Sequence, residues 1–521
     1  MECQTEEPAQ PWWFRSRWQG ATNAARSMSL TASERYAISR PMRFTVAGIG
    51  SIVLACILAS PAHAQETPTE REAARAMLDK MAALEQSLDV PGLVARLTGP
   101  NAERDRVVAR AKELMDKELL AMADDIATHP EIGFQEKRSI QKLTDYLKQH
   151  DFDVQIGVAG LDTAFVAKYT RNNGAPTLGI IVEYDALRGT KGAFHGDQHS
   201  AQGPVGIAAA VAIAEFLTRT HTAGSVVVYG TPGEEMMPPN AKTVMQEAGV
   251  FKGADVIVRS HSSSTTGRPA AGFGTCCMNI DGVKYTFSGA PAHQLTSWNG
   301  RNALEGVIHL FENIDSVRSS IRPEARIQGV ITEGGAAPNV TPDRTAADFY
   351  IRYPDEVYLE QVTEFVDNAA KAAALSTGTK VKIDHYGKAR DGIGSATLAE
   401  VGFAYMKKFG ATNAQAVPGK PQGYEETGSV SRDIPGLGFQ AQSSTAPNHT
   451  YEMDAENLTE IGHKGFTIDA EAMTALLVDF ATHTDYRAAV KKEFDGIKVL
   501  FGEYQTALKK VYTVPAVSDP K

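Results

Sequence analysis

The chain has 521 residues, 43% of them apolar and 22% charged, which is the composition of an ordinary globular protein of two or three domains. Its formal net charge is −10 and its basic residues are scattered, which argues against a nucleic-acid partner. Four cysteines in a chain of this length do not make a disulfide framework.

The first 64 residues have the pattern of an export signal. A basic region precedes an apolar run from Phe44 to Ala59, and Ala62-His63-Ala64 follows as a small-x-small cleavage site. The run is shorter than the roughly 20 residues that a membrane span needs. We therefore expect cleavage after Ala64 and a periplasmic or secreted protein, with Met42 as an alternative start. The alternatives are a lipoprotein attached through Cys56 and an uncleaved anchor.

Helices and buried strands alternate through the next part of the chain. Continuous apolar runs predict strands that are buried on both faces, and the helices between them imply a mainly parallel sheet. The predicted elements are helices at 73–88, 103–126 and 205–217, and strands at 177–184, 225–229 and from 255 onward. Cys276 and Cys277 lie in an apolar stretch and are expected to be buried, inert thiols.

The middle of the chain predicts a different kind of domain. Its patterns run strand, helix, strand, strand, helix, strand, which is the order of a ferredoxin-like α+β domain. The elements are strands at 278–287, 326–332, 345–353 and 380–386, with helices at 301–321 and 356–375. The predicted organisation is a leader (1–64), an α/β domain in two parts (65–277 and 393–515), and an inserted domain (278–392) between them.

Acids and histidines fall at the ends of the three buried strands. Glu183 and Asp185 follow the first, Glu234 and Glu235 the second, and His261 the third. Open parallel sheets place their sites at the carboxyl ends of their strands, so these side chains are expected to converge. One of two adjacent carboxylates can bind a metal while the other takes a proton from the attacking water.

The loop His195-Gly196-Asp197-Gln198-His199 offers further ligands. Carboxylate oxygen and imidazole nitrogen both suit zinc, manganese or cobalt, and a two-residue spacing lets alternate side chains face one ion. Alone, this loop and the Glu234-Glu235 pair are each more typical of exposed polar loops. Together they indicate a metal centre that His261 and His449 would complete.

The ordered motifs resemble the metal-dependent aminoacylase and carboxypeptidase family, in particular the branch of p-aminobenzoyl-glutamate hydrolase, with hippurate and indole-acetyl-amino-acid hydrolases as relatives. The resemblance runs from about residue 110 to 480. It rests on His129-Pro130-Glu131-Ile132-Gly133-Phe134, Glu183-Tyr184-Asp185-Ala186-Leu187, Gly230-Thr231-Pro232-Gly233-Glu234-Glu235, Gly289-Ala290-Pro291-Ala292-His293, Gly300-Arg301-Asn302-Ala303-Leu304, and Ala337-Pro338-Asn339-Val340-Thr341-Pro342-Asp343.

The resemblance implies a two-metal hydrolase that cleaves an amide bond in a small substrate carrying a carboxylate. The expected cofactors are two divalent ions, zinc first, with manganese or cobalt as alternatives. The inserted domain becomes a lid that forms a homodimer. The implied roles are general base for Glu234, metal ligands for Asp197, His199, Glu235, His261 and His449, carbonyl polarisation for His293, and substrate binding for Asn339 and Arg352.

One departure from the family pattern concerns the metal loop. Relatives have Cys-Gly-His where this chain has Asp197-Gln198-His199, so a soft anionic ligand is replaced by a hard one. This leaves open the metal identity and a ligand role for His195 instead. The alternative functions are a dipeptidase or an aromatic amidase on the same fold, and a catalytically silent binding protein.

Overall fold

The computed structural model describes residues 68–513 except 173, 237–239, 262, 269–270, 274–278, 391 and 416–427, with side chains from residue 75 onward. The predicted leader at 1–64 and the Cys276-Cys277 pair lie outside the described residues. One predicted domain boundary falls at residues 277 and 278, which are also outside them, and the boundaries stay predictions.

The described chain contains strands and helices in alternation. The strands are β1 (Asp153–Ile156), β2 (Phe165–Arg171), β3 (Thr177–Val182), β4 (Leu187–Gly189), β5 (Gly192–Phe194), β6 (Gly224–Gly230), β7 (Val256–Ser260), β8 (Gly272–Phe273), β9 (Asn279–Ser288), β10 (Arg326–Glu333), β11 (Arg344–Tyr353), β12 (Lys380–Ala389), β13 (Ile393–Gly394) and β14 (Gly436–Phe439). The helices are α1 (Pro68–Gln86), α2 (Val90–Leu97), α3 (Ala102–Leu114), α4 (Leu120–Thr128), α5 (Lys137–Gln149), α6 (His199–Thr220), α7 (Ala241–Glu247), α8 (Ala303–Val317), α9 (Glu356–Thr377), α10 (Ala396–Lys408), α11 (Tyr451–Glu456), α12 (Glu460–Thr482) and α13 (Thr484–Val511).

The main domain is built on an eight-stranded sheet in the order β1-β2-β6-β3-β7-β14-β13-β8. Its centre is parallel, since β3 pairs in parallel with β6 and β7, and β7 with β14. The predicted mainly parallel sheet is therefore confirmed. Both faces are covered: Ile180 and Val182 of β3 join one apolar core and Ile181 joins another on the opposite face. This explains why the strand is a continuous apolar run rather than an alternating one.

Helix α6 forms much of the core on one face of the sheet. It is long and apolar enough to cross a bilayer, but 89% of its most apolar window is buried inside the fold. Its small residues let it approach the strands closely. At Gly206, for example, an added Cβ would lie 2.5 Å from Cγ1 of Val182. The first turn of this helix carries His199, so tight packing fixes the position of that side chain.

The lid, residues 279–389, is a four-stranded antiparallel sheet in the order β10-β11-β9-β12, with α8 and α9 packed on it. This strand order, with helices between the first and second and between the third and fourth strands, confirms the predicted ferredoxin-like domain. Both helices begin at side-chain caps. Asn302 accepts from the Leu304 amide at 3.0 Å, and Asp355 accepts from the Tyr358 amide at 2.8 Å.

Candidate metal centre

The candidate site lies where the parallel strands β3, β6 and β7 end. Glu183 follows β3, Glu234 and Glu235 lie in a short 3₁₀ turn after β6, and His261 follows β7. The Thr231 amide donates to the Val182 carbonyl at 2.9 Å, which keeps the ends of β3 and β6 side by side. The strand ends thus meet at one edge of the sheet, as expected for a parallel arrangement.

Asp197, His199 and Glu235 form a compact cluster at this edge. Each offers a ligand atom, and these atoms all lie within 4.8 Å of one another. Asp197 is 1% exposed and His199 is 0% exposed. Burial raises the pKa of both the Asp197 and the Glu235 carboxyls above their ordinary values. Two carboxylates held together out of water are costly unless a cation accompanies them.

The donor atoms of this cluster fit divalent metal ions. Asp197 Oδ2 and His199 Nε2 are buried and make no hydrogen bond within the described part of the chain. Burial alone would lower the pKa of His199, but Asp197, Asp185 and Glu183 together raise it. Carboxylate oxygen with imidazole nitrogen suits zinc, manganese and cobalt alike, so the ligand types do not select among them.

The two other predicted ligands border the cluster. His449 Nε2 lies 3.4 Å from Glu235 Oε1, and the His449 amide donates to the Gly196 carbonyl at 2.6 Å. The His261 ring centroid lies 5.4 Å from that of His199. The five predicted ligands therefore come together, although His449 belongs to a distant part of the sequence. Its left-handed backbone, with φ of 65°, turns the chain into this corner.

Asp185 supports two of these ligands, a role that the sequence reasoning did not assign. One carboxylate oxygen, Oδ1, lies 3.2 Å from Nδ1 of His199, and the other, Oδ2, accepts from the Glu235 amide at 2.9 Å. A carboxylate that orients a ligating histidine is a common second layer of metal sites. The position of Asp185 at a strand end was visible in the sequence. Its partners were not, because they depend on how two loops fold over each other.

A buried charge network surrounds Glu234, the predicted base. Glu183, 0% exposed, forms ion pairs with Lys242 at 2.9 Å and with Arg259 at 2.6 Å. Burial opposes ionisation of Glu183, but Arg259 and Lys242 lower its pKa to about 2. Burial and the charge of Glu183 in turn raise the pKa of Glu234 to about 8. Glu183 and Glu234 thus differ strongly in proton affinity, as the groups of acid–base sites often do.

The lid residues stand apart from the cluster. His293 and Asn339 are exposed and lie side by side, because the Gln294 amide donates to the Asn339 carbonyl at 3.1 Å. Arg352 lies on β11, paired with Arg326 and Ile280 of the neighbouring strands. Within the described residues, no hydrogen bond or ion pair joins these three predicted site residues to the metal cluster.

His195, the alternative ligand, is buried near the cluster but is not one of its three mutually close members. Its backbone is fixed by the Asp454 carboxylate at 2.8 Å and by the Asn457 amide at 2.8 Å. Neither ring nitrogen makes a hydrogen bond with any residue that the structure describes. Burial lowers the pKa of His195 to about 3, so its ring is neutral.

Comparison with known proteins identifies relatives for most of the chain. The family model for the M20 peptidase dimerisation domain matches residues 278–377. The chain is 30% identical to the Xaa-Arg dipeptidase of Mus musculus, over 76% of this chain and 94% of that protein. It is also 30% identical to one of the subunits of the p-aminobenzoyl-glutamate hydrolase of Escherichia coli (strain K12), over 56% of this chain and 62% of that protein.

A solved structure shares the fold. The crystal structure of an aminobenzoyl-glutamate utilization protein from Klebsiella pneumoniae superposes with a TM-score of 0.53 at 16% identity, covering 71% of this chain and 98% of that one.

Proposed function

The chain belongs to the M20 family of metal-dependent amide hydrolases, and we propose that it cleaves an N-acyl or N-aroyl amino acid, or a small peptide, that carries a free carboxylate. The observation that carries this proposal is the buried cluster of Asp197, His199 and Glu235 beside Glu234. Its donor set suits divalent cations, and it lies at the strand ends, where open α/β sheets place their binding sites.

The cluster would hold two divalent ions, with Asp197, His199, Glu235, His261 and His449 as ligands. Bound there, the ions would supply Lewis-acid activation of the attacking water and of the scissile carbonyl. Zinc is our first choice, with manganese or cobalt as alternatives. Asp197 would keep the negative charge that the family resemblance implies for a cysteine at this position, so it would remain an anionic ligand.

Glu234 moves the proton in this proposal. It accepts a proton from the attacking water and passes it to the leaving amine nitrogen. Its place directly before Glu235, in the turn that follows β6, suits a group that transfers a proton beside the metal ligands. Asp185 keeps His199 and Glu235 in place meanwhile.

The lid residues complete the substrate site. His293 stabilises the developing oxyanion, and Asn339 binds next to it through its amide. Arg352 is proposed for the carboxylate on charge alone, since its strand position lies away from the His293 loop. Among the described residues, no contact brings His293 to the cluster of its own chain, so closure of the lid or a second copy of the chain would have to deliver it.

The lid is also our proposed dimer surface. It matches the peptidase dimerisation domain, and its edge strand β10 exposes Val330 at 63% and Ile331 at 48%. An unpaired edge strand with exposed apolar side chains is suited to pairing with a second copy.

We also propose that the chain is exported through the leader at 1–64.

A dipeptidase is the second candidate function. It is favoured by the match to the Xaa-Arg dipeptidase, which extends over 94% of that protein. A silent binding protein is disfavoured because the cluster and Glu234 are both in place.

The test is metal content together with hydrolysis of p-aminobenzoyl-glutamate, N-acetyl-glutamate and Xaa-Arg dipeptides before and after chelation. We expect about two ions per chain and chelator-sensitive cleavage. Glu234→Gln should keep the ions and lose about 10²–10⁴-fold in kcat. Full activity of this variant would overturn the role of Glu234, and a protein without metal or activity would overturn the function.

A further inference from the structure

The loop that carries His293 exposes large apolar side chains. Leu295 is 75% exposed and Trp298 is 74% exposed, and Val340 on the facing loop is 45% exposed. Single exposed apolar residues are common, but here two large apolar side chains are about three-quarters exposed within one four-residue stretch. Exposed apolar side chains of this size are typical of a surface that binds a ligand or a partner.

These side chains lie on the same two facing loops as the proposed substrate-binding residues His293 and Asn339. We call this pair of loops the platform. The Gln294 amide donates to the Asn339 carbonyl at 3.1 Å, and the Thr341 amide donates to the Ala292 carbonyl at 2.9 Å. The Leu295 amide donates to Nδ1 of His293 at 3.2 Å, which fixes the imidazole and leaves its Nε2 for another partner. The apolar surface and the polar pair of His293 and Asn339 are therefore held by one set of bonds.

The two ends of the His293 loop are held together by backbone contacts. Ala290 and Arg301 exchange two backbone hydrogen bonds of 2.9 Å. An added Cβ at Gly289 would lie 1.9 Å from the Arg301 carbonyl oxygen, and one at Gly300 would lie 2.8 Å from the Ala290 carbonyl oxygen. The two ends of the loop thus pack backbone against backbone, where only glycine fits.

We propose that Leu295 and Trp298 form an apolar wall that binds the acyl or aroyl group of the substrate and so select apolar acyl amino acids. The proposal rests on the proposed function. In an N-acyl amino acid the acyl group lies on one side of the scissile carbonyl, and the carboxylate lies on the amine side. A residue that contacts the carbonyl oxygen, as His293 would, therefore has the acyl group beside it.

This surface differs from the proposed dimer surface, which is the edge strand β10. Trp298 lies on the same loop as His293, which is proposed to bind the substrate. A bound substrate would therefore cover the apolar side chains as well as contact the polar ones. An aromatic wall binds an apolar or aromatic group with little loss of side-chain entropy, because tryptophan has only two side-chain torsions. The wall would bind the acyl group in the same way whether the loop closes on the metal centre of its own chain or on that of a second copy.

The first test compares substrates in the full-length metal-loaded protein. Trp298→Ala and Leu295→Ala should lower kcat/KM for p-aminobenzoyl-glutamate about tenfold and leave N-acetyl-glutamate within about twofold, and Trp298→Phe should restore most of the loss. Val499→Ala, which removes a 62% exposed side chain from α13, is the matched control. Equal losses for both substrates would overturn the proposal. So would a change in the molar mass of the Trp298→Ala variant, because it would make Trp298 part of an interface between copies.

The second test measures binding without turnover. Trp298 is the only tryptophan after Trp18, so the emission difference between a Trp298-containing protein and its Trp298→Phe counterpart reports on this side chain. In the Glu234→Gln background, N-octanoyl-glutamate should shift this difference emission to the blue with saturation, and N-acetyl-glutamate should not. An unchanged spectrum would overturn the wall. Because this measurement needs no hydrolysis, a wild-type protein that cleaves none of these substrates but shows the shift would refute the proposed function alone.

Discussion

At the scale of single residues, Asp185 has the most consequential contacts in the site. Its two oxygens serve two ligands, His199 through Nδ1 at 3.2 Å and Glu235 through its backbone amide at 2.9 Å. One side chain therefore fixes the direction of an imidazole and the position of the turn that carries Glu234 and Glu235. Loss of its charge would affect metal affinity before it affected the fold.

We expect Asp185→Asn to weaken metal binding about 10–100-fold, because the amide is a poorer acceptor and can present only one oxygen to these two donors. Competition titration with a chelating dye measures this. The control is Asp281→Asn in the lid, which removes a buried carboxylate bonded to Thr363 and Arg390 and should leave metal affinity unchanged. Equal metal affinity in Asp185→Asn and wild type would contradict the role of Asp185.

Glu456 stabilises the segment that leads to His449. Its carboxylate accepts from the Thr445 amide and the Thr445 hydroxyl, both at 2.6 Å, and from the Ser444 hydroxyl. Partial burial opposes ionisation, but these bonds lower the pKa of Glu456 from its ordinary value of 4.5 to about 2. Glu456 is therefore ionised in the folded protein well below the pH at which it would be protonated in the unfolded chain.

This shift has a defined sign. Because the folded-state pKa of Glu456 is below the unfolded value, its contribution to the free energy of unfolding is complete above about pH 5 and is lost as pH falls toward 2. The Tm difference between wild type and Glu456→Gln should thus be largest near neutral pH and shrink in acid. Thermal scans of both proteins across this range measure it, and a difference independent of pH would refute the ionised state.

At the scale of elements, helix α13 joins the two domains. Its first half belongs to the main domain, where Glu493 accepts from the amides of Ala396 and Thr397 at 2.7 and 2.9 Å and so caps α10. Its last turn contributes Leu508 to the lid core, and the Tyr512 hydroxyl just beyond it donates to Asp355 at 2.7 Å. The lid is thereby attached by a helix as well as by its two chain connections.

Leu508→Ala should destabilise the lid by about 2–5 kcal/mol, because it empties a site that is 2% exposed between α13 and the lid helices. Hydrogen exchange of α9 should accelerate, with less effect on α6. Val499→Ala, on the exposed side of the same helix, is the control and should change neither. Protection of α9 that stays at the wild-type level would show that α13 does not support the lid.

Most elements follow from local patterns. The buried strands β3, β6 and β7 and the lid helices α8 and α9 lie within a few residues of their predicted bounds, because apolar periodicity and capping residues act over short distances. The short hairpin β4–β5 and helix α2 were not predicted. They are too short for a periodic signal. The turn between β4 and β5 is also bonded from a distant part of the chain, since the Tyr451 hydroxyl accepts from the Lys191 amide at 3.2 Å.

At the scale of the whole molecule, the exposed edge of the lid is the surface through which we propose that two copies associate. Strand β10 is at one end of the lid sheet and has a partner, β11, on one side only. Val330 and Ile331 leave apolar area in water that a second copy would remove.

Ile331→Lys should convert a dimer to a monomer, since a charge in place of an exposed apolar side chain on this edge must be desolvated on association. Light scattering after size-exclusion chromatography measures the molar mass. Leu78→Lys on α1, also at an exposed apolar position, should leave it unchanged. A dimer that persists in Ile331→Lys would place the interface elsewhere.

The sequence by itself determined the two-domain fold and the identity of the cluster. Continuous apolar runs specify a parallel sheet, and Glu234, Glu235 and His261 follow its strands. Asp197 and His199 belong to the loop before α6, and they were singled out because this loop and the strand ends together offer metal ligands. The topology of a parallel sheet brings its strand ends to one edge, and the family resemblance supplied the roles of the residues there.

Only the tertiary structure decided the remaining features. The bond between Asp185 and Glu235, the ion pairs of Glu183, and the attachment of the lid by α13 join residues at least 50 positions apart in the chain. The exposure of Leu295 and Trp298 is likewise a property of the folded surface. Local periodicity carries no information about such pairings, because they depend on the relative positions of whole elements after the chain has packed.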